Sequence, residues 1–146
     1  MKKFTMIIGT PGCGKSFLAN KLLLKNPNQV LLDDISRLLR VTHCGLRYFE
    51  VVAQFPEYNE FILSDPAFCE DSFRVRVMKE LKEVFGEDEV VFDFIYFEND
   101  PDQCLQNVEL RNDGRKVRKY IERLSKTYNI PEGVIPIKVW KPCNSY

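Results

Sequence analysis

Short β-like runs alternate along the chain with stripes of apolar residues at helical spacing. Residues 4–8 form the first run, ending at Gly9; from Lys15 onward Phe17, Leu18, Ala19, Leu22 and Leu23 recur with helical period until Asn26-Pro27. The opening third therefore reads as strand, glycine loop, helix. Residues 29–32 are a second strand closed by Asp33-Asp34, after which Ile35, Leu38 and Leu39 mark a helical face. Residues 60–63 are a third, ending at Ser64-Asp65 before Pro66. An amphipathic helix is expected over about 71–85, stopped by Gly86. Residues 90–97 are the longest β-like run, and Pro101 suits the first turn of a helix capped by Asn99 or Asp100. A basic helix over about 116–128 and a last strand, 134–140, complete the pattern. The least regular stretch, 42–58, holds a Pro and the only His, and is expected as a loop or partial helix lining a pocket.

Strands alternating with helices predict an α/β fold in three layers, with a mainly parallel sheet covered by helices on both faces. A chain of 146 residues makes this one domain, 1–146. Five Cys are scattered without a Cys-x-x-Cys pair and with one His, which excludes a disulfide framework and a zinc site. Met-Lys-Lys leads straight into a strand rather than a signal core, so a reducing, cytoplasmic location is expected, the host's if the chain is phage-encoded. No apolar run approaches the roughly 20 residues of a membrane span.

Lys plus Arg and Asp plus Glu are equal at 21 each, which argues against a wrapper of duplex nucleic acid or a membrane-surface protein. The balance is a cancellation of blocks. Residues 1–49 carry eight basic and two acidic side chains, residues 50–109 four and sixteen, and residues 110–146 nine and three. Much of the acidic block reads as solvated helix face.

The glycine loop carries the sharpest chemical signal. Gly9-Thr10-Pro11-Gly12-Cys13-Gly14-Lys15-Ser16 fits G-x-x-x-x-G-K-[ST] between a strand and a helix, as a phosphate-binding loop (P-loop, Walker A) requires. Glycines let backbone amides curl toward a phosphate, the helix amino end favours the anion, Lys15 meets the β and γ oxygens of ATP, and Ser16 offers its hydroxyl to Mg²⁺. Partners for such a loop come from the carboxyl ends of neighbouring strands. Asp33-Asp34 supplies a carboxylate that can accept the proton of an attacking hydroxyl, with Arg37 placed to hold an anionic group of the acceptor. Asp65 is the candidate supporter of Ser16 and the metal, with Asp93 as a lesser competitor. Residues 111–126 hold seven basic and two acidic side chains around the hinge-like Asp113-Gly114. A lid around 111–118 is expected there, closing Arg111 and Arg115 over a triphosphate.

Taken in order, these residues resemble the kinase domain of the bacteriophage polynucleotide 5′-hydroxyl kinases, within the P-loop kinase superfamily. The resemblance covers nearly the whole chain: Met1-Lys2-Lys3, Gly9, Pro11-Gly12, Gly14-Lys15-Ser16, Lys25-Asn26-Pro27, Asp34 with Arg37, Ser64-Asp65, Val91-Phe92-Asp93, and two lid arginines four apart, Arg111 and Arg115. It implies a five-stranded parallel sheet, sequential binding of donor and acceptor, and a role for each residue. Lys15 and Ser16 would bind ATP phosphates and Mg²⁺, Asp34 would activate the acceptor 5′-hydroxyl, and Arg37 would contact the acceptor phosphate. Asp65 would support Ser16 and the metal, and Arg115 would clamp the donor. The family commonly has Arg or a similar polar residue before its acceptor-site aspartate; here Asp33 stands there, so either member of the doublet can be the base. Such phage enzymes often add a phosphatase domain, and no phosphatase activity is expected of this chain.

The expected function is ATP-dependent phosphoryl transfer to a hydroxyl, foremost the 5′-hydroxyl of a DNA or RNA end. A small-molecule kinase acting on a nucleoside, nucleotide or metabolite uses the same parts. A protein that binds NTP and transfers nothing would leave Asp34 and the lid dispensable.

Overall fold

The computed structural model describes residues 1–35, 48–114 and 116–142. Its frame is a four-stranded sheet of β1 (Lys2–Ile8), β2 (Val30–Asp33), β3 (Glu60–Ser64) and β4 (Val90–Tyr96), ordered β2-β3-β1-β4. Every pairing is parallel, as strands separated by helical crossovers require. The described helices are α1 (Lys15–Lys25), α2 (Tyr48–Val52), α3 (Asp71–Phe85), α4 (Pro101–Arg111) and α5 (Arg118–Thr127), with single 3₁₀ turns at Pro66–Cys69 and Glu87–Glu89.

Alternation along the strands divides the core in two. Phe4, Met6 and Ile8 of β1 pack with Phe61 and Leu63 of β3 against Val52 of α2 and Val77 and Leu81 of α3. Ile7 and Ile62 point the other way, toward Ala19 of α1, Cys104 of α4 and Ile121 of α5. Both faces of this α/β sheet are thus covered, an arrangement compatible with three layers.

The expected elements appear with small shifts. The helix over 71–85 runs Asp71–Phe85 and stops at Gly86, whose φ of 97° few side chains tolerate. Of the two capping candidates, Asp100 caps α4 by accepting from the Gln103 amide at 3.2 Å. Asn99 instead donates to the Ser125 and Tyr128 carbonyls. β2 extends to Asp33, and of the irregular stretch the described part contains α2. The helical face expected at Leu38 and Leu39 lies outside the described residues.

The fifth strand is a correction. Among the described residues, segment 134–140 meets the sheet only where Ile137 bridges Phe97, exchanging hydrogen bonds with Tyr96 and Glu98. Pro136 has no amide to donate, the Val139 amide goes to the Glu98 side chain, and the Trp140 amide goes to the Cys13 carbonyl. The next amide in register with β4, that of Val139, is taken by the Glu98 side chain, so the ladder does not continue past Ile137.

Strand register sets where the loops leave the sheet. Asp33, Ser64 and Ile7 are paired in one row across β2, β3 and β1, so the residues after them emerge together at its carboxyl edge. From β1 the chain crosses to the β2 side, and from β3 it crosses back to β4. The order therefore reverses between β1 and β3, where open parallel sheets form a crevice.

Candidate functional site

The loop after β1 lies across that crevice. Its exit is pinned at Ile8, whose carbonyl accepts from the Phe97 amide at 2.8 Å and from the Tyr128 hydroxyl at 3.3 Å; Tyr128 also donates to the Phe97 carbonyl. Burial pushes the Tyr128 hydroxyl's pKa up, which keeps it a donor. Gly12 and Gly14 have φ of 86° and 106°, and a Cβ on Gly12 would stand 2.5 Å from the Cys104 carbonyl oxygen. Left-handed backbone and close approach to α4 make glycine necessary there.

Lys15, first residue of α1, is 8% exposed and folds back over the loop. Its ammonium donates to the carbonyls of Gly9 (2.8 Å) and Thr10 (2.9 Å), with the Cys13 sulfur at 3.7 Å. These bonds satisfy a buried cation inside the curve of the loop. The side chains of Thr10 and Cys13 turn inward, Thr10 donating to the Cys104 sulfur at 3.2 Å, so these two residues offer an incoming ligand only backbone.

A cavity of about 330 Å³ opens beside the loop. Pro11, Gly12, Gly14, Lys15, Ser16 and Phe17 line one side, Asp33, Asp34 and Pro66 another, and Asn107, Arg111 and Trp140 a third. The structure thus brings together the loop, the aspartate doublet and Arg111, one of the two arginines expected in a lid. Phe17 is 63% exposed at its rim. Arg111 makes no ion pair among the described residues, so its guanidinium is available to an anion. Arg37 and Arg115 lie outside the described residues.

The carboxylates divide unequally. Ser16 donates to Asp33 at 3.4 Å, a long hydrogen bond, and Asp33 is exposed. Asp34 follows in a left-handed conformation, φ 53°, with its amide on the Ser64 carbonyl at 2.7 Å. A non-glycine residue there departs from strand alternation, the kind of outlier that accompanies functional sites. Asp65 is buried and caps the next turn, accepting from the Ala67 amide at 3.0 Å. Asp33 is thus a carboxylate that Ser16 reaches. Asp93 sits mid-strand and pairs with Lys3 at 3.2 Å, away from the cavity. Among the described residues no three His, Cys, Asp or Glu side chains cluster as metal ligands.

Two buried hydroxyls at this edge, Ser64 and Tyr48, have no hydrogen-bond partner among the described residues. Burial first, then the nearby Asp65, Asp33 and Asp34 charges, hold Tyr48 well above the ordinary phenol range. Around the loop, burial raises the pKa of all three described thiols: Cys13, Cys69 to about 12 and Cys104 to about 11. These thiols are neutral packing groups at physiological pH.

The segment expected as a lid begins at the end of α4. Asn112 and Gly114 turn the chain with φ of 46° and 77°, and Arg118 at the start of α5 reaches back to Glu109 at 3.1 Å.

Sequence reasoning does not single out Asn107 or Trp140. Asn107 precedes Arg111 by one helical turn, a spacing the sequence displays. Trp140 reaches the loop only through tertiary packing, for which no local pattern exists.

No protein-family model matches the chain. An uncharacterized protein of Acanthamoeba polyphaga mimivirus is 27% identical to it over 131 residues, 88% of each chain.

Proposed function

We propose that the chain is a P-loop kinase with the three-layer P-loop fold. On this reading it transfers the γ-phosphoryl group of ATP to a hydroxyl, the acceptor being the 5′-hydroxyl of a DNA or RNA end. One observation carries the proposal: a single cavity at the carboxyl edge of the sheet holds the loop with Lys15, Ser16 beside Asp33, Asp34 and Arg111. The lining includes both cationic groups, Lys15 and Arg111, and anionic ones, Asp33 and Asp34, as a donor polyphosphate and an acceptor hydroxyl would each require.

The residues fit ATP and Mg²⁺. The left-handed backbone at Gly12 and Gly14 curls the loop around the Lys15 ammonium, and the α1 amino end adds favourable dipole. Residues 9–16 would bind the phosphates, with the Lys15 ammonium exchanging loop carbonyls for phosphate oxygens. Ser16 with Asp33, and Asp65 behind them, are the candidate metal partners; the unpartnered Ser64 hydroxyl adds a polar group at the same edge. Bound Mg²⁺ would neutralise charge on the phosphates.

Asp34 accepts the proton as the hydroxyl oxygen bonds to the γ-phosphorus; the bond from phosphorus to the β–γ bridging oxygen breaks, and ADP leaves. Arg111 and Arg115 stabilise the transferring group, and Arg37 holds the acceptor phosphate. The buried thiols Cys13, Cys69 and Cys104 suit a reducing compartment such as the cytoplasm.

Incubation with γ-labelled ATP, Mg²⁺ and a 5′-hydroxyl oligonucleotide tests the reading. Labelled 5′ ends are expected, and Asp34→Ala abolishes labelling while retaining ATP binding. No labelled end at any salt or metal condition removes the polynucleotide acceptor, and label on a small molecule instead reassigns it. Loss of ATP binding in Asp34→Ala would move that residue to the donor side.

A further inference from the structure

We propose that Asn107 is a positioning residue that sets Arg111 against the phosphate loop; this rests on the kinase reading of that loop. Asn107 lies in α4, is 4% exposed, and has every polar atom engaged. Its amide nitrogen donates to the Gly12 carbonyl at 2.9 Å and to the Trp140 carbonyl at 2.6 Å. Its oxygen accepts from the Gln103 side chain at 3.0 Å, which fixes the orientation of the amide. The Trp140 amide in turn donates to the Cys13 carbonyl at 3.0 Å, closing a ring of hydrogen bonds through loop, helix and carboxy-terminal segment.

Asn is a poor helix former, so helix propensity does not account for this residue in α4. Its two donors do, because the carbonyls they satisfy belong to segments distant in sequence. Asn107 and Arg111 are one turn apart on the same helix face, and both line the cavity. A long guanidinium side chain reaches a phosphate only if its helix stands at the right height beside the loop. The Asn107 clamp fixes that height at the Gly12 carbonyl itself. Asn107 therefore acts through Arg111, without touching the reacting groups.

A double-mutant cycle on kcat/KM for ATP-dependent labelling tests this, using the full chain with Asn107→Ala, Arg111→Ala and both. Asn107→Ala is expected to lower kcat/KM by about 10- to 100-fold. In the Arg111→Ala background the same change is expected to cost less than about threefold, since the group it positions is gone. Equal losses in both backgrounds would overturn the proposal, as would a lower Tm with kcat/KM of the folded protein unchanged. Should Asn107→Ala fail to fold, Asn107→Asp, which keeps the shape but loses the donors, and Gln103→Ala, which releases only the orienting bond, carry the cycle. If the unaltered chain binds ATP without transfer, the cycle is read on ATP affinity from the fluorescence of Trp140, the only tryptophan in the chain. Absence of ATP binding by the unaltered chain overturns the kinase reading itself, and this inference with it.

Discussion

Around the glycine loop the chemistry turns on which buried groups keep their protons. The Lys15 ammonium sits among the Gly9 and Thr10 carbonyls and the Cys13 sulfur. Its charge lowers the pKa of the nearby thiols, yet for each of them burial outweighs it and the shift is upward. Cys69 at about 12 and Cys104 at about 11, against an ordinary 9.0, hold protons in the folded chain that the unfolded chain releases. Their contribution to stability is therefore complete below about pH 9 and is lost as pH rises through 11 to 12, by a few kcal/mol in all. Urea unfolding from pH 7 to 11 should show a flat stability followed by a fall above about pH 9. Other groups titrate there too, so the readout is a difference: Cys69→Ala should be less stable at neutral pH but lose stability less steeply above pH 9. Parallel pH profiles for the two proteins would refute the assignment.

At the scale of elements, the pattern of strands and helices was legible wherever local signals agreed with tertiary ones. The helix over 71–85 has an amphipathic stripe and a glycine stop, and its bounds are those expected. The segment 134–140 has the apolar character of a strand, but its Val139 and Trp140 amides go to Glu98 and Cys13, far away in sequence. The site divides in the same way. The glycine loop and the aspartates announce themselves by motif and by strand ends, whereas Asn107 looks like any polar residue in a helix until Gly12 and Trp140 are brought to it. Sequence puts forward Asp65 as a supporter of Ser16 because it follows a strand; the structure shows Ser16 donating to Asp33 and Asp65 accepting from the Ala67 amide. The α4 cap gives an element-level test. Asp100 satisfies the Gln103 amide at the start of the helix that carries Asn107 and Arg111. Asp100→Ala should cost about 1 kcal/mol. For a domain of this size that is about 3 °C in Tm by calorimetry. An unchanged Tm would mean that Asn99 or solvent takes over the cap.

Across the whole molecule the equal numbers of acidic and basic residues acquire a spatial order. Lys15 and Arg111, from the two basic blocks, meet at the cavity on the carboxyl edge of the sheet. The acidic block supplies the exposed Glu87–Glu89 turn directly before β4, at the amino edge and away from the cavity. On the proposed kinase reading, a nucleic acid lying along this body would leave the cavity with Lys15 and Arg111 and meet the negative Glu87–Glu89 turn, so that reading favours a grip on one chain end. The salt dependence of acceptor binding measures the length of that grip, because each phosphate neutralised on a single strand contributes about −0.7 to the slope of log K against log salt. Contact with one or two phosphates predicts a slope between about −0.7 and −1.4. A 5′-hydroxyl dinucleotide and a 20-mer should then have KM values within about threefold, since phosphates beyond the pocket add little. A slope of about −4 or steeper, with KM falling as the oligonucleotide lengthens, would require a basic track of five or more phosphates. The end-gripping reading would then be wrong, even with phosphoryl transfer intact.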